Sequence, residues 1–256
     1  MDLTFLPFRF PGVPSVRCAF QCRGLTPPPS ITAPLPDYAG GNLSLDTGEN
    51  PDYVRARRRA LAAVLGVDGW AELRQVHGDA LILEPDPTDP DHAATREADG
   101  ACSSRPRLAL MIKTADCQPV LLASASGRHI AALHVGWRGN RQNFPESGVA
   151  RFCAQYELSP RDVFAVRGPS LGPAHAEFIN FEREWPEGFR PWFDEQSRRM
   201  DLWNLTRHQL QQAGVPASHI HGIDYCTFAN PVFYSYRRNP VCGRQAALIW
   251  IDAPSV

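Results

Sequence analysis

Three nearly continuous apolar runs constrain the fold of this chain more than any other feature. They are "LALMIK" (108–113), "PVLLAS" (119–124) and "HIAALHV" (129–135). Apolar runs without alternation are typical of strands that are covered on both faces. The sequence therefore predicts a sheet with further layers packed on each side of it.

Other strands and three helices are predicted around these runs. The additional strands are "AELRQV" (71–76), "ALILE" (80–84), "DVFAVRG" (162–168), "HIHGID" (219–224), "PVFYSY" (231–236) and "QAALIWI" (245–251). The helices are "NPDYVRARRRALAAVLG" (50–66), "ESGVARFCAQYEL" (146–158) and "LWNLTRHQLQQAG" (202–214). This mixture favours an α+β protein with a mixed, helix-covered sheet.

The first predicted helix has a clear start and one apolar face. Asn50 is suited to cap it, and Pro51 suits its first turn. The apolar residues on one face are Val54, Leu61, Val64 and Leu65. The basic run Arg57–Arg59 is expected to lie on the solvated side of the helix.

We expect one domain over residues 1–256. A chain of 256 residues can bury a large core. It contains no internal repeat and no break in composition that would mark a boundary. The proline-rich segment 26–41 is predicted to be an irregular surface loop, because strand-like sequence precedes it and a helix follows closely.

The charge balance limits the classes of partner. The formal net charge is −1, which gives no electrostatic reason to expect nucleic acid or an anionic membrane surface. No stretch approaches 18 continuous apolar residues, and the N-terminus lacks the pattern of a signal peptide. The seven cysteines are therefore expected to be reduced thiols in a cytoplasmic protein. Small solutes are the expected partners.

Three residues of types that commonly bind metals lie where predicted apolar strands end in turns. His77 follows "LRQV", Cys117 follows "LALMIKTAD" and His134 follows "HIAAL". One sheet can bring three such strand ends to a single edge. Two imidazoles and one thiolate form a known catalytic zinc set, with the fourth position open for water or substrate. Zinc in such a site lowers the pKa of bound water to about 7.

The same residues also fit a different chemistry. The Cys117 thiolate is a candidate nucleophile with His134 as its base, as in Cys/His hydrolases. A single buried Cys or His also often serves only to pack a core. Spacing alone leaves the metal site and the nucleophile equally open.

Two residues beside these strand ends are further candidates. Arg138 lies between Trp137 and Gly139, and its guanidinium can bind phosphate or carboxylate through two parallel hydrogen bonds. Stacking on Trp137 at the surface is the alternative. Asp116 is expected either to cap the turn before Cys117 or to orient a ligating imidazole, with capping favoured.

The sequence resembles the YfiH/YlmD family, also called PgeF or the laccase-domain family. The hallmark segments are "QVHG" (75–78), "TADCQPVLL" (114–122) and "HVGWRG" (134–139). Supporting similarity covers almost the whole chain, in "CAFQCRG", "GNLSLDTGE", "ADG", "RGPSLGP", "DLWNLTRHQLQQAGV" and "FYSYRR…GRQAALIWI". The family usually has a cysteine-rich or tyrosine-containing segment where this chain has "AHAEF" (174–178), so no ligand contact is assigned there.

The resemblance implies a fold and a set of site residues. The fold is a single-domain α/β/β/α sandwich with mixed sheets, related to the putative cysteine-hydrolase fold of a bacterial cytotoxin. The site is a zinc centre, with copper as the alternative, built from the catalytic residues His77, Cys117 and His134. By position, the substrate-binding residues are Asn42, Arg58 and Arg138.

The resemblance also implies activities. Family members are described as purine nucleoside phosphorylases that use inorganic phosphate on adenosine, inosine and methylthioadenosine, and as adenosine deaminases. Other descriptions are copper-dependent oxidation of phenols and peptidoglycan precursor editing, the latter compatible with a thiol-dependent amide hydrolase. A non-catalytic nucleoside-binding module is a further alternative. The oligomeric state is not predicted.

Overall fold

The computed structural model of the chain describes residues 3–24, 37–38 and 40–253. The strands are β1 Phe5–Phe8, β2 Val16–Gln21, β3 Gly69–Ala71, β4 Leu81–Leu83, β5 Gly100–Ser103, β6 Leu108–Thr114, β7 Gln118–Ser124, β8 Ile130–Val135, β9 Val163–Arg167, β10 Phe193–Asp194, β11 Arg199–Met200, β12 Ile220–Gly222 and β13 Gln245–Ile251. The α-helices are α1 Pro51–Leu65, α2 Trp137–Arg141, α3 Phe144–Tyr156, α4 Phe181–Glu184 and α5 Leu202–Gln212. The loop predicted over 26–41 lies almost wholly outside the described residues.

Two mixed sheets contain most of the strands. The five-stranded sheet has the order β1-β2-β13-β6-β3, and the six-stranded sheet has the order β12-β9-β7-β8-β5-β4. Most neighbours are antiparallel, while β3 and β6, β4 and β5, and β9 and β12 pair in parallel. Strands β10 and β11 form a separate two-stranded ribbon.

Apolar side chains pack the two sheets and three helices into four layers. Residues of β2, β6 and β13 pack against residues of β7 and β8 in one core cluster between the sheets. The outer face of the six-stranded sheet packs against α3 and α5, and the outer face of the five-stranded sheet packs against α1. The layer order is therefore α/β/β/α. Strands β6, β7 and β8 are buried at every residue, which explains their unbroken apolar sequences.

The strongest predictions of secondary structure are confirmed. The apolar runs at 108–113, 119–124 and 129–135 correspond to β6, β7 and β8, and the three predicted helices correspond to α1, α3 and α5. The Asn50 side chain caps α1 by accepting a hydrogen bond from the Asp52 amide. No helix within the described residues is long and apolar enough to cross a membrane.

The strand predicted at 231–236 is wrong, because a side-chain amide replaces a neighbouring strand there. The Tyr234 amide donates to Gln245 Oε1 at 2.6 Å, and Gln245 Nε2 donates to the Tyr234 carbonyl at 3.2 Å. With its backbone groups satisfied in this way, the segment folds into turns.

The strand predicted at 71–76 is correct only at its first residue, for the same reason. Strand β3 ends at Ala71. The Gln75 side chain then takes the place of a strand backbone: its Nε2 donates to the Lys113 carbonyl, and its Oε1 accepts from the Lys113 amide, each at 2.8 Å. The chain after Ala71 is therefore free to leave the sheet and enter a loop.

The expectation of a solvated basic face on α1 is wrong for two of its three arginines. Arg58 is fully buried and donates to the Glu72 carboxylate at 2.8 Å and to backbone carbonyls. Arg57 is buried in a pair with Glu49. Only Arg59 of the run is exposed. The carboxylates of Glu49 and Glu72 allow these two guanidinium groups to be buried, because a buried charge requires a partner of opposite charge.

Replacing Arg58 by methionine is expected to lower the free energy of unfolding by about 3–5 kcal/mol, because the fully buried Glu72 carboxylate loses its guanidinium. The matched variant Arg59→Met removes an exposed pair with Asp91 and is expected to cost less than about 1 kcal/mol. Urea denaturation followed by circular dichroism measures both values. If the Arg58→Met variant were as stable as the wild type but bound ligand more weakly, a structural role for Arg58 would be contradicted.

Candidate functional site

Segments from both sheets bring His77, Cys117 and His134 together. His77 lies in the loop between β3 and β4, and His134 lies near the end of β8. Cys117 lies in the short turn that leaves β6 of the five-stranded sheet and enters β7 of the six-stranded sheet. The expectation that one sheet edge presents all three is therefore wrong. The site forms where the two sheets of the sandwich meet.

The three donor side chains have the spacing of a metal site. One potential ligand atom from each lies within 4.8 Å of the other two, and Cys117 Sγ is 3.8 Å from His77 Nε2. Zinc–sulfur and zinc–nitrogen bonds of about 2.3 and 2.05 Å place such a pair roughly 3.6 Å apart around a tetrahedral ion. Among the described residues this is the only such group of three or more His, Cys, Asp or Glu side chains. The arrangement therefore fits a divalent metal with little movement.

The buried carboxylate of Asp99 positions both imidazoles. Its Oδ1 lies 2.7 Å from His134 Nδ1 and accepts the His77 amide at 2.9 Å. Its Oδ2 accepts the amides of Val76 and Gly78 at 3.2 and 2.6 Å. Because Nδ1 of His134 is engaged by Asp99, Nε2 is the nitrogen left to bind a metal. Asp99 was not identified among the candidate residues from sequence, although the "ADG" segment that contains it was among the family similarities.

The Asp116 carboxylate binds distant segments of the chain and not an imidazole. Its backbone has a φ of 96°. Its carboxylate accepts hydrogen bonds from Thr227 Oγ1 at 2.7 Å and from the Arg237 amide at 2.6 Å. The carboxylate thus ties this turn to the segments that contain Thr227 and Arg237, which is neither the expected cap of the turn nor the orientation of an imidazole.

A glycine leaves room for the three donors. A Cβ atom built on Gly136 would lie 3.0 Å from His77 Cδ2 and 3.1 Å from Cys117 Sγ. Such contacts are tighter than ordinary van der Waals contact, so a side chain at this position would displace the imidazole or the thiol. The first glycine of "HVGWRG" thus has a steric role in the site.

Mutual electrostatics favour a charged thiolate–imidazolium pair in the metal-free site. Burial raises the pKa of Cys117, but the neighbouring His134 and His77 outweigh it and lower the pKa to about 6. Burial lowers the pKa of His134, but Cys117 and Asp99 outweigh it and raise the pKa to about 9. Burial likewise works against the Asp99 charge, yet its contact with His134 keeps the pKa of Asp99 below its usual value. Between about pH 6 and 9 the pair is therefore ionised.

The donors open into a cavity of about 930 Å³, which is within the range of small-molecule sites. One side, here called the polar wall, consists of Ser44, Asp46, Thr47, Lys113 and Thr114. Another side, here called the aromatic wall, consists of Trp137, Leu171, Phe178 and Leu202. The cavity therefore offers apolar faces and polar groups on either side of the metal-type donors.

Only one of the three residues expected to bind substrate lines this cavity. Arg138 does so, and its guanidinium lies 4.3 Å from the centre of the Trp137 ring. Asn42 and Arg58 are fully buried elsewhere. The Asn42 amide is engaged with Ser44, Thr47 and Glu49, so neither Asn42 nor Arg58 has a donor directed to a ligand.

The divergent segment 174–178 also reaches the cavity. Glu177 and Phe178 belong to its lining, and Phe178 packs edge-on to Trp137 with ring centres 5.9 Å apart. Glu177 and Phe178 are thus the residues of this segment that contribute to the wall of the site.

Alkylation of Cys117 by iodoacetamide in the metal-free protein is expected to increase with pH through about 6, where its thiolate forms, and then to level off. An ordinary thiol ionises only near pH 8.5. Mass spectrometry of the alkylated peptides gives the rate at each pH.

Cys22 is the internal control for this experiment, because burial raises the pKa of its thiol. Its rate should still be increasing at pH 9. Parallel profiles for Cys22 and Cys117 would contradict the thiolate–imidazolium pair.

Comparisons with known proteins assign the chain to a family. The family described as multi-copper polyphenol oxidoreductase laccase matches residues 32–252. The purine nucleoside phosphorylase YfiH of Escherichia coli K12 is 34% identical over 230 residues, covering 85% of this chain and 88% of that protein. A purine nucleoside phosphorylase of Pseudomonas aeruginosa is 34% identical over 222 residues, covering 82% and 86%.

Solved structures show the same fold. The crystal structure of YlmD from Geobacillus stearothermophilus has a TM-score of 0.82 at 25% identity, covering 95% of this chain and 94% of that one. A Neisseria meningitidis protein of family DUF152 has a TM-score of 0.79 at 26% identity, covering 97% and 99%. The resemblance expected from the sequence motifs is thus confirmed, and the chain belongs to the YfiH-like family of laccase-type proteins.

Proposed function

We propose that this protein is a zinc-dependent purine nucleoside phosphorylase that acts on adenosine, inosine and methylthioadenosine, with adenosine deamination as a second activity. The observation that carries the proposal is the group of His77, Cys117 and His134 at the mouth of a large cavity. Relatives named purine nucleoside phosphorylase, at 34% identity over most of both chains, support the reaction type.

The three donors are suited to hold zinc with one position open to the cavity. Two imidazoles and one thiolate are a zinc donor set, although copper(I) also accepts them. When bound, the ion supplies Lewis-acid chemistry that polarises an oxygen of water or substrate. Asp99 fixes the ring of His134 and the backbone of His77, which keeps both nitrogens directed at one point.

The aromatic wall is suited to a purine base, and Arg138 to an anion. Trp137 and Phe178 offer flat apolar surfaces to a purine. Within the described part of the chain, the Arg138 guanidinium has no carboxylate or carbonyl acceptor, and its one described contact is the face of Trp137. Its donors are therefore available to phosphate in the paired geometry that guanidinium favours.

Domain organisation and compartment complete the proposal. We take the chain to be one catalytic domain, because both sheets share one core. All seven cysteines are free thiols, which supports the cytoplasm as its compartment.

The proposal is tested by metal analysis together with product analysis. Purified protein is expected to contain zinc in a 1:1 ratio, and to release the free base from adenosine, inosine and methylthioadenosine only when phosphate is present. Formation of inosine from adenosine without phosphate reports deamination. Metal content is measured by plasma mass spectrometry and products by liquid chromatography.

Cys117→Ser is expected to lose bound zinc and at least about 100-fold in turnover, because a hydroxyl is a far poorer zinc ligand than a thiolate. Cys226→Ser is the matched control, since Cys226 also contacts an imidazole, that of His175, but lies outside the cavity lining. It should keep both metal and activity. Full zinc and full turnover in Cys117→Ser would refute the proposal.

A thiol-dependent amide hydrolase is the second candidate. It is favoured by the lowered pKa of Cys117 and by the succession of Cys117, His134 and Asp99, the order of a nucleophile, its base and an orienting acid. Peptidoglycan precursors are its candidate substrates, and the cysteine-hydrolase relationship of the fold belongs with this alternative. Activity that survives chelation of metal but is abolished by alkylation of Cys117 would favour the hydrolase over the phosphorylase.

A further inference from the structure

The chain places its only lysine in the candidate active-site cavity. It contains 26 lysine and arginine residues, and Lys113 is the single lysine among them. Its side chain is 8% exposed and belongs to the polar wall of the cavity. An ammonium is a compact point charge with three N–H donors, in contrast to the broad planar guanidinium. All other Lys or Arg residues of the chain are arginines. The cavity therefore contains the one small, compact ammonium group that a side chain of this protein provides.

The salt bridges of Lys113 involve one carboxylate that it shares with Arg58 and one that is exposed to solvent. Glu72 is fully buried, and its Oε2 is bound by Arg58 at 2.8 Å. Its Oε1 lies 3.3 Å from Lys113 Nζ, so two cations share one buried carboxylate. Asp46 is a further 3.7 Å contact, but its side chain is 64% exposed, and solvent screens such a charge. The ammonium of Lys113 is therefore only partly neutralised by the chain.

Hydrogen bonds tie Lys113 to the metal-type donors. The Gln75 side chain binds both the amide and the carbonyl of Lys113 at 2.8 Å. Gln75 stands two residues before His77, and Lys113 stands four residues before Cys117. The backbone of Lys113 is thus held rigidly against the loop that presents His77.

We propose that the Lys113 ammonium binds a phosphoryl oxyanion at the polar wall of the cavity. The proposal deepens the proposed function, on which it rests for the identity of inorganic phosphate as the co-substrate. Ser44 and Thr114 belong to the same wall, and their hydroxyls are further candidate donors to such an anion. A lysine point charge is a common partner of phosphate in proteins. The same ammonium and hydroxyl groups could also bind the phosphate of a nucleoside monophosphate.

Protection from chemical modification tests the proposal without any assay of activity. Formaldehyde and cyanoborohydride methylate primary amines, and the chain has two, Lys113 and the N-terminal amine. Phosphate at ten times its dissociation constant should slow methylation of Lys113 about tenfold, in proportion to the free fraction of sites. The N-terminal amine should be unaffected and serves as the internal reference, with chloride at equal ionic strength as the blank.

A parallel arm with adenosine monophosphate identifies the source of the oxyanion. Protection by phosphate alone assigns the site to the free co-substrate, and protection by the nucleotide alone assigns it to a nucleotide phosphate. Protection by neither overturns the proposal. Protection by phosphate in a protein that performs no phosphorolysis would uphold the Lys113 site while refuting the proposed reaction.

Kinetics of variants provide the second test. Lys113→Met is expected to raise the KM for phosphate about 10- to 100-fold, the effect of losing one charge-assisted hydrogen bond. The KM for nucleoside and the zinc content should change little, whereas the melting temperature should fall because the buried Glu72 loses one of its two cations; Lys113→Arg should restore part of the phosphate affinity. Arg59→Met, which removes an exposed cation, is the matched control. An unchanged KM for phosphate in a folded Lys113→Met protein would contradict the proposal.

Discussion

The buried carboxylate of Asp99 determines the position of two of the three donor side chains. One of its oxygens binds His134 Nδ1 and the His77 amide, and the other binds the amides on either side of His77. His77 has a φ of 61°, a conformation that non-glycine residues adopt only where their surroundings hold them. Three hydrogen bonds from consecutive amides to one anion supply that restraint. Without these hydrogen bonds, nothing else described in the loop after β3 would hold the His77 imidazole toward Cys117.

Side-chain amides take the place of a neighbouring strand at two positions in the fold. Gln75 binds the backbone of Lys113 at the end of β6, and Gln245 binds the backbone of Tyr234. Each glutamine satisfies two backbone groups that would otherwise require another strand. At the end of β6, where Lys113 and Thr114 line the cavity, the hydrogen bonds from Gln75 therefore replace those of a further strand.

Local pattern was sufficient to predict the centre of the fold. Strands β6, β7 and β8 are buried on both faces, so their sequences are uniformly apolar and their positions follow directly. The same pattern predicted where His77, Cys117 and His134 stand along the chain, because each borders a strand. Their role as metal ligands stays a prediction.

The parts that the sequence did not predict all depend on distant partners. The position of Arg58 on the predicted helix indicates a surface residue. Only its contact with Glu72, fourteen residues away, shows that it is buried. Asp99 lies between a loop and β5 with no local pattern to distinguish it from other acidic residues, and only its contact with His134, 35 residues away, reveals its role. Asn42 and Arg58 were assigned to substrate by family position alone. Position along the chain did not indicate that their donors are engaged within the protein.

Metal affinity of an Asp99→Asn variant tests the central claim most directly. Competition titration of the metal-free protein with zinc against a chromophoric chelator is expected to give an affinity about 10- to 100-fold weaker than wild type, because a side-chain amide has only one acceptor oxygen for the His134 ring and the three amides around His77. Asp116→Asn should bind zinc as wild type does, because the hydrogen bonds of the Asp116 carboxylate within the described residues go to Thr227 and Arg237 and not to a donor side chain. Equal zinc affinity in Asp99→Asn and wild type would contradict the account.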